Sequence, residues 1–157
     1  MQTELWSIGK ANEAYVEEGI RLFSGRLRHY TDFSLRIIPP PRNAQHLPIP
    51  EQKRQEARLV EQQCEKTDYL VALDEGGKQM STLQLADFLR HQQNSSLRRL
   101  IFLIGGAHGL DAAVLSLARA RLSLSDLTFP HQLVRLIMTE QLYRAFTVLR
   151  NEKYHHQ

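Results

Sequence analysis

Leu100-Ile101-Phe102-Leu103-Ile104 runs without a polar position straight into Gly105-Gly106-Ala107-His108-Gly109 and Asp111. A strand with no polar face has no side turned to water, so it must be covered above and below. Sheets built from such strands are parallel, because their crossover connections lay helices on both faces. Tyr69-Leu70-Val71-Ala72-Leu73 is a second run of the same kind. Two such runs argue for a sheet covered on both faces.

The rest of the chain supplies the covering helices. Val16, Ile20, Phe23 and Leu27 recur at helical spacing, predicting a helix over Asn12–Arg28 behind a short strand, Leu5–Ile8, that Gly9 closes. Phe33, Leu35 and Ile37 alternate as a half-buried strand does. Five of the six prolines fall between Pro39 and Pro50, so 39–50 reads as an exposed loop. Ala57, Val60 and Cys64 stripe a charged helix over Glu51–Lys66. Asp74-Glu75-Gly76-Gly77-Lys78 is expected to end the strand from Tyr69. Ser81 and Gln84 have capping-box spacing before a helix that buries Leu85, Phe88 and Leu89. A further helix opens near Asp111 with Val114, Leu117 and Ala118 inward. Leu122–Phe129 is short and becomes loop-like. Val134, Met138, Leu142, Ala145 and Leu149 share one face of a helix from His131 to Arg150. A polar, extended tail, 151–157, closes the chain. The order is βαβ, loop, αβαβα: an α/β fold with a mainly parallel sheet flanked by helices, in one domain spanning 1–157.

At 157 residues the chain can bury a core without staples. Its one cysteine, Cys64, forbids an internal disulfide and points to a reducing compartment. No stretch of about 18 apolar residues is present, and the start lacks a signal-peptide core, so a cytoplasmic location with no membrane span is expected. The net charge of +3 permits a polyanionic partner without requiring one. Its distribution says more. From Leu127 onward the acids are Glu140 and Glu152, against Arg135, Arg144, Arg150, Lys153 and three histidines.

Three segments are candidates for chemistry. The turn at Gly105–Gly109 leaves a buried strand and enters a helix, where open parallel sheets bind ligands. It is either a cradle that lets backbone approach a ligand or a tight connection. A dinucleotide fingerprint is weak here, because Ile104 stands at its first glycine position and the chain has no second half. The segment Leu122–Arg135 is either an adenine-edge reader or an ordinary strand, turn and cap. The basic end, with Tyr143, Arg144, Tyr154, His155 and His156, suits stacking and phosphate contact with unpaired bases, or is simply a solvated tail. Adjacent histidines cannot face one ion together, no Cys/His cluster has zinc spacing, and no metal is expected. Neither a nucleophile elbow nor a Walker lysine is present.

Taken in order, these pieces resemble a known family: Ile8-Gly9-Lys10, Val71-Ala72-Leu73-Asp74 with Gly77-Lys78, Leu103–Gly106 with Gly109-Leu110, Leu122–Ser125, Leu127–His131, Arg135, Glu140–Ala145 and Tyr154-His155. The chain is similar along its whole length to the RlmH family, bacterial large-subunit ribosomal RNA pseudouridine N3-methyltransferases of the SPOUT superfamily. The resemblance implies a C-terminal trefoil knot, S-adenosylmethionine as methyl donor, a homodimer, and a pseudouridine of 23S ribosomal RNA on the assembled ribosome as substrate. It places Leu73, Gly105, Gly106, Leu124, Ser125, Asp126, Leu127, Thr128 and Phe129 around the donor. It makes Tyr154, His155 and Arg144 candidates for catalysis. Arg135, Arg144, Lys153, Tyr154 and His155 are then candidate RNA contacts, with a helix-surface or dimer salt bridge as the equal alternative for Arg135 and Arg144. His108, the proline-rich loop and the final His156-Gln157 depart from the family pattern. The competing readings are a non-enzymatic ribosome- or RNA-binding module and a nucleotide-cofactor enzyme using the Gly105–Gly109 turn.

Overall fold

A computed structural model describes residues 1–156; Gln157, the end of the expected tail, lies outside the described residues. The elements in order are β1 (Gln2–Ile8), α1 (Ala14–Leu27), β2 (Asp32–Ile38), a 3-10 turn (Ala44–His46), α2 (Ile49–Gln63), β3 (Tyr69–Gln79), α3 (Thr82–Asn94), β4 (Arg99–Ile104), α4 (Ala112–Leu117), β5 (Ala120–Ser123) and α5 (His131–Leu149). The five strands form one sheet in the order β2-β1-β4-β3-β5, and every pairing is parallel.

Strand alternation divides β4 between two cores. Leu100, Phe102 and Ile104 face one, with Met138, Leu142 and Phe146 of α5 and Leu89 of α3. Ile101 and Leu103 face the other, with Ala57 and Val60 of α2 and Val114 of α4. All five side chains are at most 4% exposed, so each contributes about 1.5–3 kcal/mol through burial. Helices α1, α3 and α5 thus cover one face of the sheet, and α2 and α4 the other.

Several local expectations are met. Ser81 Oγ accepts from Gln84 N–H at 3.2 Å while Gln84 Oε1 accepts from Ser81 N–H at 2.8 Å, completing the capping box. Asp111 caps α4 by accepting from Ala113 N–H at 2.9 Å.

Others are corrected. The proline-rich stretch is not wholly loop: it holds the 3-10 turn, with Ala44 buried, and α2 already starts at Ile49 with Pro50 in its first turn. Proline is tolerated there because a first-turn amide has no helical acceptor to lose. The glycines at 76 and 77 do not end β3. They form a bulge: Leu73 and Lys78 both pair with Leu122, and the strand resumes to Gln79. A Cβ on Gly77 would lie 2.7–2.8 Å from the backbone of Arg121 and Leu122, so only glycine lets the two strands approach there. Leu117 is 44% exposed, because α4 closes after six residues, before a full inward stripe is established. The tail does not extend into solvent. Tyr154 folds back on α5, its ring centroid 4.7 Å from that of Tyr143.

Candidate functional site

At the bulge of β3 and beyond the carboxyl ends of β4 and β5, three segments close around a cavity of about 360 Å³. The bulge of β3 supplies Leu73, Asp74 and Glu75. The turn after β4 supplies Ile104, Gly105, Gly106, Gly109 and Leu110. The connection from β5 to α5 supplies Leu122–Phe129, with His131 and Val134 at the start of α5. All nine residues expected around a donor, Leu73, Gly105, Gly106 and Leu124–Phe129, line this one space. They come from the bulge within β3 and from just past the ends of β4 and β5, so parallel register brings them together although more than fifty positions separate Leu73 from Phe129.

The turn holds its own shape. Gly109 N–H bonds to Gly106 O at 3.1 Å, and Gly109 has φ +80°, a region glycine adopts without strain. A Cβ on Gly105 would sit 3.0 Å from the Gly109 backbone and the Leu110 side chain. A side chain there pries the turn apart before it fills the cavity. The β5–α5 connection is pinned too: Leu127 N–H donates to Ser125 Oγ at 3.0 Å, and Gln79 Nε2 donates to Asp126 Oδ1 at 2.9 Å.

Asp74, Glu75 and Asp126 are the acidic residues lining the cavity, and His131 is the basic one. Burial, and then the charge of Arg135, hold the His131 imidazole below its ordinary pKa, so it is neutral at pH 7. This acidic lining suits a cationic ligand and opposes a diphosphate. The amino end of α4, where a phosphate would rest after a glycine turn, is occupied by Asp111. The nucleotide-cofactor reading of the turn therefore finds no anion site.

The residues expected to do chemistry lie elsewhere. Arg144 Nε and Nη2 grip Glu140 Oε1 at 2.9 and 2.6 Å, and Tyr154 Oη donates to the same oxygen at 3.1 Å. The Arg144 guanidinium lies 4.7 Å from the centre of the Tyr154 ring. Burial, then the bond to Glu140, push the Tyr154 phenol up. Beside it, Tyr30 Oη donates to Glu152 Oε2 at 2.6 Å, which pushes the Tyr30 phenol up to about 12. His155 Nδ1 is buried without a hydrogen-bond partner among the described residues, and Lys153 is exposed. Ten helical positions separate Val134 at the cavity from Arg144, about 15 Å along α5. One protomer does not bring the two groups together.

Arg135 is a correction. Expected as an RNA contact, it is 0% exposed, with its guanidinium drawn to Ser7, Lys10 O and Asn12. The helical stripe of α5 carries it inward one turn after His131, where no phosphate of a bound RNA touches it in this conformation. Sequence reasoning also did not pick out Asp74, Glu75, His131 and Val134 as lining residues. Their signal was adjacency: each lies in or directly beside a segment that carries the site.

Among the described residues there is no group of three or more metal-ligating side chains, and no helix is long and apolar enough to cross a membrane. The fold and the cavity define a parallel α/β protein with a ligand site at the carboxyl side of its sheet. The family model described as "Predicted SPOUT methyltransferase" matches residues 1–155, and the chain belongs to that family. Among named relatives, the ribosomal RNA large subunit methyltransferase H of Christiangramia forsetii is 43% identical over 157 residues, covering all of both chains. That of Parabacteroides distasonis is 40% identical, again over the whole of both chains. The fold also matches a solved probable methylase family protein from Haemophilus influenzae, with a TM-score of 0.56 at 10% identity, over 99% of this chain and 70% of that one. That last likeness is one of fold.

Proposed function

We propose that this protein methylates large-subunit ribosomal RNA, at N3 of a pseudouridine of the 23S molecule within the assembled ribosome, with S-adenosylmethionine as donor. The observation that carries this is the gathering of Leu73, Gly105, Gly106 and Leu124–Phe129 around one acid-lined cavity. The full-length relatives named ribosomal RNA large subunit methyltransferase H support the substrate class. A volume of about 360 Å³ suits a nucleoside-sized ligand, and Asp74, Glu75 and Asp126 suit one carrying sulfonium and ammonium charges. When bound, the donor supplies a methyl group already activated by its sulfonium. The chain's own task is to orient the acceptor, exclude water and receive the acceptor's N3 proton. The glycine turn and the 124–129 connection would hold the adenosyl part largely through backbone. The three strand-end segments around the cavity are those the resemblance threads into a trefoil knot, and we include the knot in this reading.

We infer a homodimer as the working unit. Within one protomer Arg144, Tyr154 and His155 stand too far along α5 to reach a methyl in the cavity, so a second copy must present them. In that arrangement Tyr154 and His155 hold the base or assist proton loss, while Arg144 and Lys153 grip phosphate. A cytoplasmic location follows from a ribosomal substrate. Mass spectrometry of ribosomal RNA from cells lacking the protein tests the assignment: one pseudouridine of 23S RNA should lose one methyl. Unchanged RNA would sink the enzymatic reading and favour a binding module, whereas retained methylation with a monomeric protein would sink the dimer.

A further inference from the structure

A second cavity, of about 520 Å³, opens beside the first, between the end of β1, the proline-rich loop, α2 and the turn after β4. Gly106 and His131 line both cavities, so the two spaces adjoin at these two residues. Glu56 projects into this second space from α2. Its carboxyl is half-buried, and burial pushes its pKa up against the opposing charges of His108 and Lys53. It has no hydrogen bond or ion pair among the described residues. A Cβ on Gly106 would lie 2.9 Å from its Oε1, so the missing side chain at 106 is what leaves the carboxyl room.

Beneath the floor lies Arg135. Its Nε donates to Ser7 Oγ at 2.7 Å, and its Nη1 to Lys10 O at 2.8 Å and Asn12 Oδ1 at 2.7 Å. All three acceptors are neutral. Its Nη2 is buried with no partner among the described residues, 2.8 Å from where a Gly9 Cβ would lie. A buried cation met only by neutral oxygens leaves an uncompensated positive field under the cavity. Gln132, on the rim, has its Oε1 taken by Glu13 N–H at 2.8 Å, which leaves its amide N–H groups to donate.

We propose that this second cavity receives the acceptor base, and that Glu56 reads the N1–H by which pseudouridine differs from uridine. The inference rests on the methyltransferase reading above. In uridine N1 is bonded to the sugar and has no hydrogen. In pseudouridine the sugar is on carbon, and N1–H, C2=O and N3–H form one edge: donor, acceptor, donor. A carboxylate only accepts, and one left unpaired in a half-buried site needs a donor. Glu56 meets N1–H, the Gln132 amide suits the carbonyl, and the neutral His131, which lines both cavities, faces the nitrogen that must approach the donor. The field of Arg135 favours an imide edge that is losing a proton. A site built to hydrogen-bond an N–H rejects the analogue lacking it much more strongly than an apolar pocket would, because its polar group is then left unpaired.

The test compares ribosomes carrying pseudouridine at the target with ribosomes carrying uridine there, from cells lacking the responsible pseudouridine synthase. Wild-type protein should prefer the former. Glu56→Ala should lower kcat/KM on pseudouridine about 10- to 100-fold and leave the rate on uridine within about 3-fold, collapsing the preference. Glu56→Gln, which keeps an acceptor oxygen, should retain part of it. Ala107→Trp, at an exposed position that lines only this cavity, should block both substrates while calorimetric affinity for S-adenosylmethionine is kept. Equal loss on both substrates in Glu56→Ala, wild-type rates in Ala107→Trp, or no wild-type preference would overturn the inference. Loss of donor affinity in either variant would give the cavity to the donor and overturn the inference equally. A wild-type protein that methylates neither ribosome would instead defeat the underlying functional reading.

Discussion

The donor cavity and the cluster at the end of α5 are built on opposite principles. The cavity is made of strand ends and turns, and its shape depends on where side chains are missing. Gly77 admits β5 against the bulge, and Gly109 turns the chain with positive φ. The cluster is made of side chains that converge on one carboxylate: Arg144 and Tyr154 both bond Glu140 Oε1, and Tyr143 packs against Tyr154. The cavity takes its shape from backbone and its charge from three acids, so it fails when bulk is added at a glycine. A side-chain site loses a contact with each truncation or deleted hydroxyl. The two therefore separate cleanly by mutation.

The largest effect should come from truncation after Arg150. It removes Tyr154 and His155 but no residue of the cavity, so methylation should fall by about 100-fold or more while donor affinity stays within about 3-fold. Turnover at the wild-type rate on ribosomes would take the tail out of the mechanism. Gly77→Val strikes the other region. Its side chain would meet the Arg121 and Leu122 backbone, and the cost should be about 2–3 kcal/mol in chemical denaturation, together with weaker donor binding. Wild-type stability in that variant would mean that the two strands can part without loss.

Tyr154→Phe is gentler. It keeps the ring on Tyr143 and deletes one hydrogen bond to Glu140, worth about 1 kcal/mol. Stability should drop by that amount with donor affinity unchanged, and a loss of donor affinity would contradict the separation of the two regions. The smallest effect is one of pH. The folded-state pKa of His131 lies below its ordinary 6.5, through burial and then Arg135. The unfolded chain therefore takes up the proton more readily. The stability linked to His131 is complete above about pH 6.5 and is lost as pH falls through and below that value. Melting at about pH 7.5 and 5.5 should show the difference, and His131→Asn should reduce it. An identical pH slope in that variant would place the titration elsewhere.

Much of the architecture was legible because covered strands have no polar positions. Tyr69–Leu73 and Leu100–Ile104 announce a parallel sheet, and parallel sheets place sites at their carboxyl ends. The Ser81–Gln84 cap was equally local, since both hydrogen bonds close within four residues. The glycines at 76 and 77 misled for a physical reason. The same residue serves a chain end and a bulge, and the choice depends on whether another strand, here β5, comes close enough to need the space.

What the sequence by itself determined is which stretches are buried, which turns are tight and which end is basic, because these depend on neighbours along the chain. Only the tertiary structure decided that Arg135 points inward, that Tyr154 returns to α5, and that Glu56 comes against Gly106 from a helix fifty positions away. Those facts depend on how β1, α2 and α5 pack across the sheet. No periodicity in one segment records which distant segment it will meet.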